Sequence, residues 1–335
     1  VTRGHKLYFA AVGALALWVG AWCYFNPARS NAAIPWLLPA LCSRFLGAMY
    51  FSGVTFMVGS MRARRWDEVR VVVPMIAIWT GMLFVVSLFH LGAFDYARPP
   101  VWIWFVAYFV YPLVALWLTW THRGGRGAAS AGAPTRTDEG RGTACGDRHP
   151  TAADPGRQTT HRIVSTTPAP PDGSGFAGPI AGQAALPAWA RTYLLAQGCI
   201  ATAVALLLLL APGPAVAIWP WKIGALMAQL YSAPFLSYGI GSLLLARRRT
   251  WAEVRVAVTA TLVFAGGVLL ASSIHRPSFG SPTPADWIWF GGFGLVTMML
   301  ALLTALAHAN TQSWAVRRQH PHGALGLQQS VTEVV

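Results

Sequence analysis

Long apolar runs alternate with short polar segments over most of the chain, and each run has the length needed to cross a lipid bilayer. A helix needs roughly 20 apolar residues to span the ~30 Å hydrocarbon core. Runs such as 201–211 have no polar face of the kind that a soluble helical bundle exposes to water. The pattern therefore predicts an all-α integral membrane protein. Its eight predicted transmembrane helices are 7–26, 36–60, 70–91, 101–121, 192–211, 221–245, 255–274 and 287–307.

This pattern occurs twice. A stretch that begins at Trp66 as Trp-Asp-Glu-Val-Arg-Val and ends at Phe105 as Trp-Ile-Trp-Phe recurs between Trp251 and Phe290, 185 residues later. The offset holds without a gap across the whole of 7–121, and more than a quarter of the aligned positions are identical. Internal similarity at a fixed offset indicates duplication. We expect two tandem repeats of four transmembrane helices each.

The segment between the repeats has a different composition. Gly, Ala, Pro, Ser, Thr and Arg dominate it, and aromatic residues are almost missing. Such a segment buries too little apolar surface to offset the entropy lost on ordering, so we expect it to be disordered. The sequence thus predicts a first repeat over 1–122, a disordered linker over 123–187, a second repeat over 188–308 and a polar tail over 309–335.

The basic residues flank the apolar runs and predict an orientation. The net charge is +14, but arginines in short loops beside membrane helices favour anionic lipid over nucleic acid as the partner. Two arginine loops, 62–65 and 247–249, join the second and third spans of each half. The positive-inside rule places these loops, the linker and both termini in the cytoplasm. Four spans per half is an even number, so both repeats should have the same, parallel orientation.

Only two of the 25 basic residues are lysines, Lys6 and Lys222. A strong preference for arginine is typical of GC-rich genomes, and the expected location is therefore a bacterial cytoplasmic membrane.

Polar residues inside the predicted spans are the candidates for a functional site, because hydrocarbon penalises them unless they have partners. Arg44, Ala48 and Ser52 share one face of the second span, which we expect to point into the bundle. Ser87 and His90 share a face near the outer end of the third span, and both recur in the second repeat. The six candidates for a ligand-binding pocket are Arg44, Ser87, His90, Gln229, Ser272 and His275.

The third span of each repeat begins with the same Trp-x-Glu-Val-Arg pattern. Glu68 and Glu253 stand at the third helical position, where a carboxylate can cap the helix N-terminus. Arg70 and Arg255 do not suit a helix N-terminus, and lipid headgroups at the cytoplasmic surface are their expected partners. The alternative is a docking or gating site on this face.

The sequence contains no G-x-S-x-G, H-E-x-x-H, P-loop or C-x-x-C motif, which favours a non-enzymatic function. The main interpretation is a protein that binds or transports a small anionic or lipid-like ligand in an outer-leaflet pocket between its halves, without a cofactor. One alternative is a redox subunit in which His90 and His275 ligate haem or a transition metal. Another is a structural subunit that assembles with a second membrane protein.

Overall fold

The computed structural model describes residues 3–36, 38–121, 185–280 and 282–319. Within these ranges the chain is almost entirely helical, and the one β-type pairing is an isolated bridge between Ala185 and Thr250. The α-helices are α1 (Arg3–Phe25), α2 (Ala40–Arg62), α3 (Val72–Phe89), α4 (Pro99–Thr121), α5 (Ala188–Leu210), α6 (Pro212–Ile218), α7 (Ala225–Leu245), α8 (Trp251–Ile274) and α9 (Pro284–Gln319). Short 3₁₀ helices occupy Pro27–Ala32, Trp66–Glu68, Leu91–Ala93 and Arg276–Phe279.

Among the described residues, seven helices are long and apolar enough to cross a membrane, so the chain is a helical multi-pass membrane protein. These candidate spans are Gly4–Phe25, Ala40–Arg62, Val72–Phe89, Pro99–Thr121, Ala188–Leu210, Trp251–Ile274 and Pro284–Asn310. The remaining predicted span, 221–245, corresponds to α7, which has 21 residues. It is not among the seven, and its sequence includes Gln229, three serines and two tyrosines.

The helix boundaries follow the 185-residue offset. The first helices of the two halves, Arg3–Phe25 and Ala188–Leu210, correspond residue for residue, and α4 and α9 begin at the equivalent positions Pro99 and Pro284. The third helices differ at their start, because α8 begins at Trp251 whereas the equivalent Trp66 lies in a separate 3₁₀ turn.

Pro74 explains this difference between the third helices. A proline has no amide hydrogen, and its ring clashes with the carbonyl four residues earlier, here that of Arg70. A helix that began at Trp66 would contain both defects, so α3 begins only at Val72, with Pro74 in its first turn. The second half has Thr259 at the equivalent position, and α8 is therefore continuous from Trp251.

The two halves are interleaved. Within each half the helices pack in pairs, α1 with α2 and α3 with α4, then α5 with α7 and α8 with α9. The other main contacts join the halves, α2 with α8 and α3 with α7. By contrast α2 and α3, which are both fully described and adjacent in the sequence, hardly touch each other. Each half therefore relies on the other half for much of its buried surface.

Glycines allow the close approach of helices from different halves. A Cβ atom added to Gly59 on α2 would lie 2.6 Å from Cγ1 of Val256 on α8. A Cβ atom on Gly241 of α7 would lie 2.5 Å from Cε of Met75 on α3. Small residues at such contacts are the usual way in which membrane helices gain van der Waals packing.

The predicted linker and tail fall mainly outside the described residues, which resume at 185 and end at 319. The last three residues of the predicted linker are nevertheless part of the fold. Leu186 is buried, and its amide donates to the carbonyl of Arg249 at 2.8 Å. At the other end, α9 continues to Gln319, beyond residue 308, where the second repeat was predicted to end.

Candidate functional site

The two histidines occupy equivalent positions at one end of the bundle, called here the histidine end. His90 is the first residue after α3, and His275 is the first residue after α8. Their amides close the last helical turns by donating to the carbonyls of Ser87 and Ala271, each at 3.1 Å. Both imidazoles therefore lie where a helix ends, and each reaches a polar side chain of the other half.

His275 contacts Arg44. The guanidinium of Arg44 donates from Nε to the carbonyl of Tyr24 at 3.1 Å, and from Nη1 to Nε2 of His275. A guanidinium is always protonated and only donates, so Nε2 must accept. This requires a neutral imidazole whose proton is on Nδ1. Burial, and secondly the charge of Arg44, lower the pKa of His275 below its ordinary value, which favours that neutral form. We call this contact the Arg44–His275 junction.

His90 contacts Gln229, the counterpart of Arg44. Gln229 donates from Nε2 to the carbonyl of Leu209 at 3.0 Å, which is equivalent to the bond from Arg44 to Tyr24. Its Oε1 lies 2.5 Å from Nε2 of His90. An amide oxygen only accepts, so Nε2 of His90 is the donor here. The neutral Nε2–H tautomer and the protonated imidazolium both satisfy this contact, which we call the Gln229–His90 junction.

The two candidate serines do not join these contacts. Ser87 and Ser272 are buried, and each accepts a hydrogen bond from a tryptophan of its own half, Trp104 at 2.9 Å and Trp289 at 3.0 Å. These tryptophans belong to the repeated Trp-Ile-Trp-Phe pattern. The six predicted residues thus form two contacts between the halves and two hydrogen bonds within them.

Ser52 and its counterpart Ser237 provide a second level of contact between the halves. Ser52 Oγ donates to the carbonyl of Ala260 at 2.7 Å, and Ser237 Oγ donates to the carbonyl of Met75 at 2.8 Å. Both serines are completely buried. The spacing of Arg44, Ala48 and Ser52 predicted that this face points inward, but not that the acceptor belongs to the other half. Ser52 also bonds to the hydroxyl of Tyr238, which the sequence did not single out.

An ion pair joins the halves at the opposite end of the bundle. Arg255 Nη2 donates to Oε2 of Glu68, whose carboxyl group is almost completely buried. The sequence predicted lipid headgroups as the partner of Arg255 but did not predict this ion pair with Glu68. Arg70 is half-buried and also has an interaction partner. The counterpart carboxylate, Glu253, accepts from the amide of Thr250 at 3.3 Å as the helix cap.

Both imidazoles at the histidine end have side-chain partners, and one of these partners is the cation Arg44. The described residues contain no group of three or more His, Cys, Asp and Glu side chains that could hold a metal. The Nε2 atoms of His90 and His275 each have a different partner, so ligation of one haem or metal by both would require both junctions to open. Arg44 is a half-buried cation whose Nη2 has no hydrogen-bond partner among the described residues.

A comparison of the chain with protein-family models, with curated proteins and with solved structures finds no match in any of the three.

Proposed function

We propose that this protein is an internally duplicated, non-enzymatic membrane protein that binds an anionic, lipid-like ligand at the Arg44–His275 junction. The observation that carries the proposal is the fixed guanidinium of Arg44. Two of its nitrogens are held by Tyr24 and His275, which leaves Nη2 as a donor. A guanidinium recognises phosphate and carboxylate groups through several N–H bonds in one plane.

The duplication and an eighth span are part of the same proposal. The helix boundaries and the polar contacts both follow the 185-residue offset, which supports a common origin of the two halves. We infer that α7 crosses the membrane as its counterpart α2 does, with its polar residues turned toward the partner helices. Parallel repeats with the arginine loops in the cytoplasm place both junctions in the outer leaflet.

Cysteine labelling tests this orientation. Ala97 and Arg64 are exposed and lie in loops at opposite ends of the bundle. A cysteine at position 97 should react with an impermeant thiol reagent applied to intact cells. One at position 64 should react only after the membrane is permeabilised. Reaction at position 64 in intact cells would contradict the orientation.

Lipid-dependent thermal stability tests the ligand class. The purified protein in a neutral detergent should gain more thermal stability from phosphatidylglycerol than from phosphatidylcholine, since only the former carries a net negative charge. Arg44→Gln should remove this difference. The matched control is Arg29→Gln, which removes one positive charge from an exposed loop position at the same end.

The control variant should keep the wild-type preference for the anionic lipid. If Arg44→Gln and Arg29→Gln respond alike, the preference belongs to the general surface charge, and the assignment to Arg44 is wrong.

A further inference from the structure

The first half encloses a cavity of about 80 Å³ among its four helices. The cavity lies away from both junctions, and its lining includes Val12, Gly53, Trp79, Ile103, Tyr108 and Tyr111. Most of the lining is apolar. Its hydroxyl groups are largely paired, since Tyr50 and Tyr108 bond to each other and Thr80 bonds to the carbonyl of Ile76 at 2.7 Å. The lining therefore favours a hydrocarbon occupant over a polar one.

The cavity is bounded at both ends and is partly open between them. Toward the histidine end, Arg98 donates to the carbonyls of Asn31 and Pro35 and so fixes the loop that carries the lining residue Ala33. Toward the other end, the hydroxyl of Tyr8 on α1 donates to the carbonyl of Tyr111 on α4 at 3.0 Å. Between these closures the lining residue Ile103 is 54% exposed, at a surface that a bilayer covers.

The size of the cavity limits its occupant. An engineered cavity of roughly 150 Å³ holds benzene, so about 80 Å³ has room for only a few methylene groups. The end of one hydrocarbon chain fits such a space, whereas a whole acyl chain does not.

We propose that this cavity binds the end of one acyl chain of a membrane phospholipid, which enters between α1 and α4 from the surrounding bilayer. The site is a property of the first half and not of the repeat. Gly53 leaves space against α1, where an added Cβ atom would meet only the Cβ atom of Ala16, at 3.9 Å. Its counterpart is Tyr238, whose ring stacks on Phe264 with a centroid distance of 4.9 Å.

The test uses the full-length protein in phosphatidylcholine vesicles that contain a phospholipid with a photoreactive diazirine in one acyl chain. Peptide mapping after illumination should find label on buried lining residues such as Met57 and Trp79, which annular lipid does not reach. Gly53→Phe should remove this buried labelling, because the ring fills the cavity. The matched control is Gly291→Phe, at an exposed position of α9 with no other atoms within 4 Å of an added Cβ.

Gly53→Val provides a smaller filling residue for the same measurement if the phenylalanine variant does not fold, and it should also reduce labelling of Met57. The labelling of exposed residues such as Ile103 should persist in every folded variant. Wild-type label confined to exposed residues, or buried label that survives filling of the cavity in a folded variant, would overturn the proposal.

Discussion

The Arg44–His275 and Gln229–His90 junctions share their geometry and differ in charge. In each, a polar side chain on α2 or α7 donates to a carbonyl at the end of the first helix of its own half, α1 or α5. The same side chain also contacts the histidine of the other half. The guanidinium requires a neutral histidine that accepts, whereas the amide oxygen requires only a histidine that donates. The difference between Arg44 and Gln229 at equivalent positions therefore decides whether the contact depends on the protonation state of its histidine.

The same comparison extends along the helices that carry the junctions. Gly59 faces the β-branched side chain of Val256, whose χ1 angle is restricted, and Gly241 faces the flexible end of Met75. The contact of α2 with α8 is therefore rigid at Gly59, whereas the contact of α3 with α7 can adapt at Gly241.

The largest expected difference comes from replacing each glycine by alanine. Gly59→Ala would place Cβ 2.6 Å from Cγ1 of Val256, so the helices must separate, at a cost of about 1–3 kcal/mol in the free energy of unfolding. Gly241→Ala should cost less because Met75 can move. Thermal unfolding of both variants in the same detergent measures the difference. Equal or reversed losses would show that the two contacts do not differ in rigidity.

A second expected difference concerns pH. The folded-state pKa of His275 lies below its unfolded value of about 6.5, so its contribution to stability is present above that pH. The contribution is lost as the pH falls from about 6.5 through the folded-state pKa, because the unfolded chain binds the proton more readily. The wild-type melting temperature should therefore fall in this acidic range.

Arg44→Gln should weaken this pH dependence, because a glutamine can contact either form of the imidazole, as Gln229 contacts His90. The reciprocal variant Gln229→Arg should add a similar acid sensitivity at His90. Melting temperatures across a pH series measure both effects. An acid sensitivity that is the same in the wild type and in Arg44→Gln would show that the charge of Arg44 does not cause it, and would assign it to the burial of His275 or to groups outside the junction.

The smallest expected difference concerns the buried serines. Ser237→Ala removes one hydrogen bond between the halves, worth about 0.6 kcal/mol in membrane proteins. Ser52→Ala should cost somewhat more, because it also leaves the hydroxyl of Tyr238 without its partner. In a Tyr238→Phe background, Ser52→Ala and Ser237→Ala should lower the free energy of unfolding by the same amount. Unfolding experiments on the four variants test this, and a persistent inequality in that background would require a different cause.

The approximate positions of the membrane helices could be predicted from the sequence. A bilayer forces each span to satisfy its own backbone hydrogen bonds over a fixed length, so apolar runs mark helices directly. The exception is α7, which the sequence analysis predicted as a span but which residues such as Gln229 make more polar than the seven apolar helices.

The packing partners were not accessible from the sequence. The 185-residue offset predicts equivalent positions for His90 and His275, but it does not indicate whether each meets a residue of its own half or of the other. Helices that are apolar on all sides carry no periodic signal for the buried face, and side-chain complementarity then decides the pairing. For the same reason the ion pair of Glu68 with Arg255 and the cavity beside Gly53 could be found only in the structure.

The interleaved packing has a consequence for biosynthesis. In the second half the partner of α2 is α8, which ends 212 residues after Arg62, so a ribosome that adds about 5–20 residues per second needs roughly 10–40 s to complete it. During that interval Arg44 and Ser52 have been made without their acceptors in the second half. The nascent first half must then be retained by the insertion machinery or shielded from membrane proteases until translation is nearly finished.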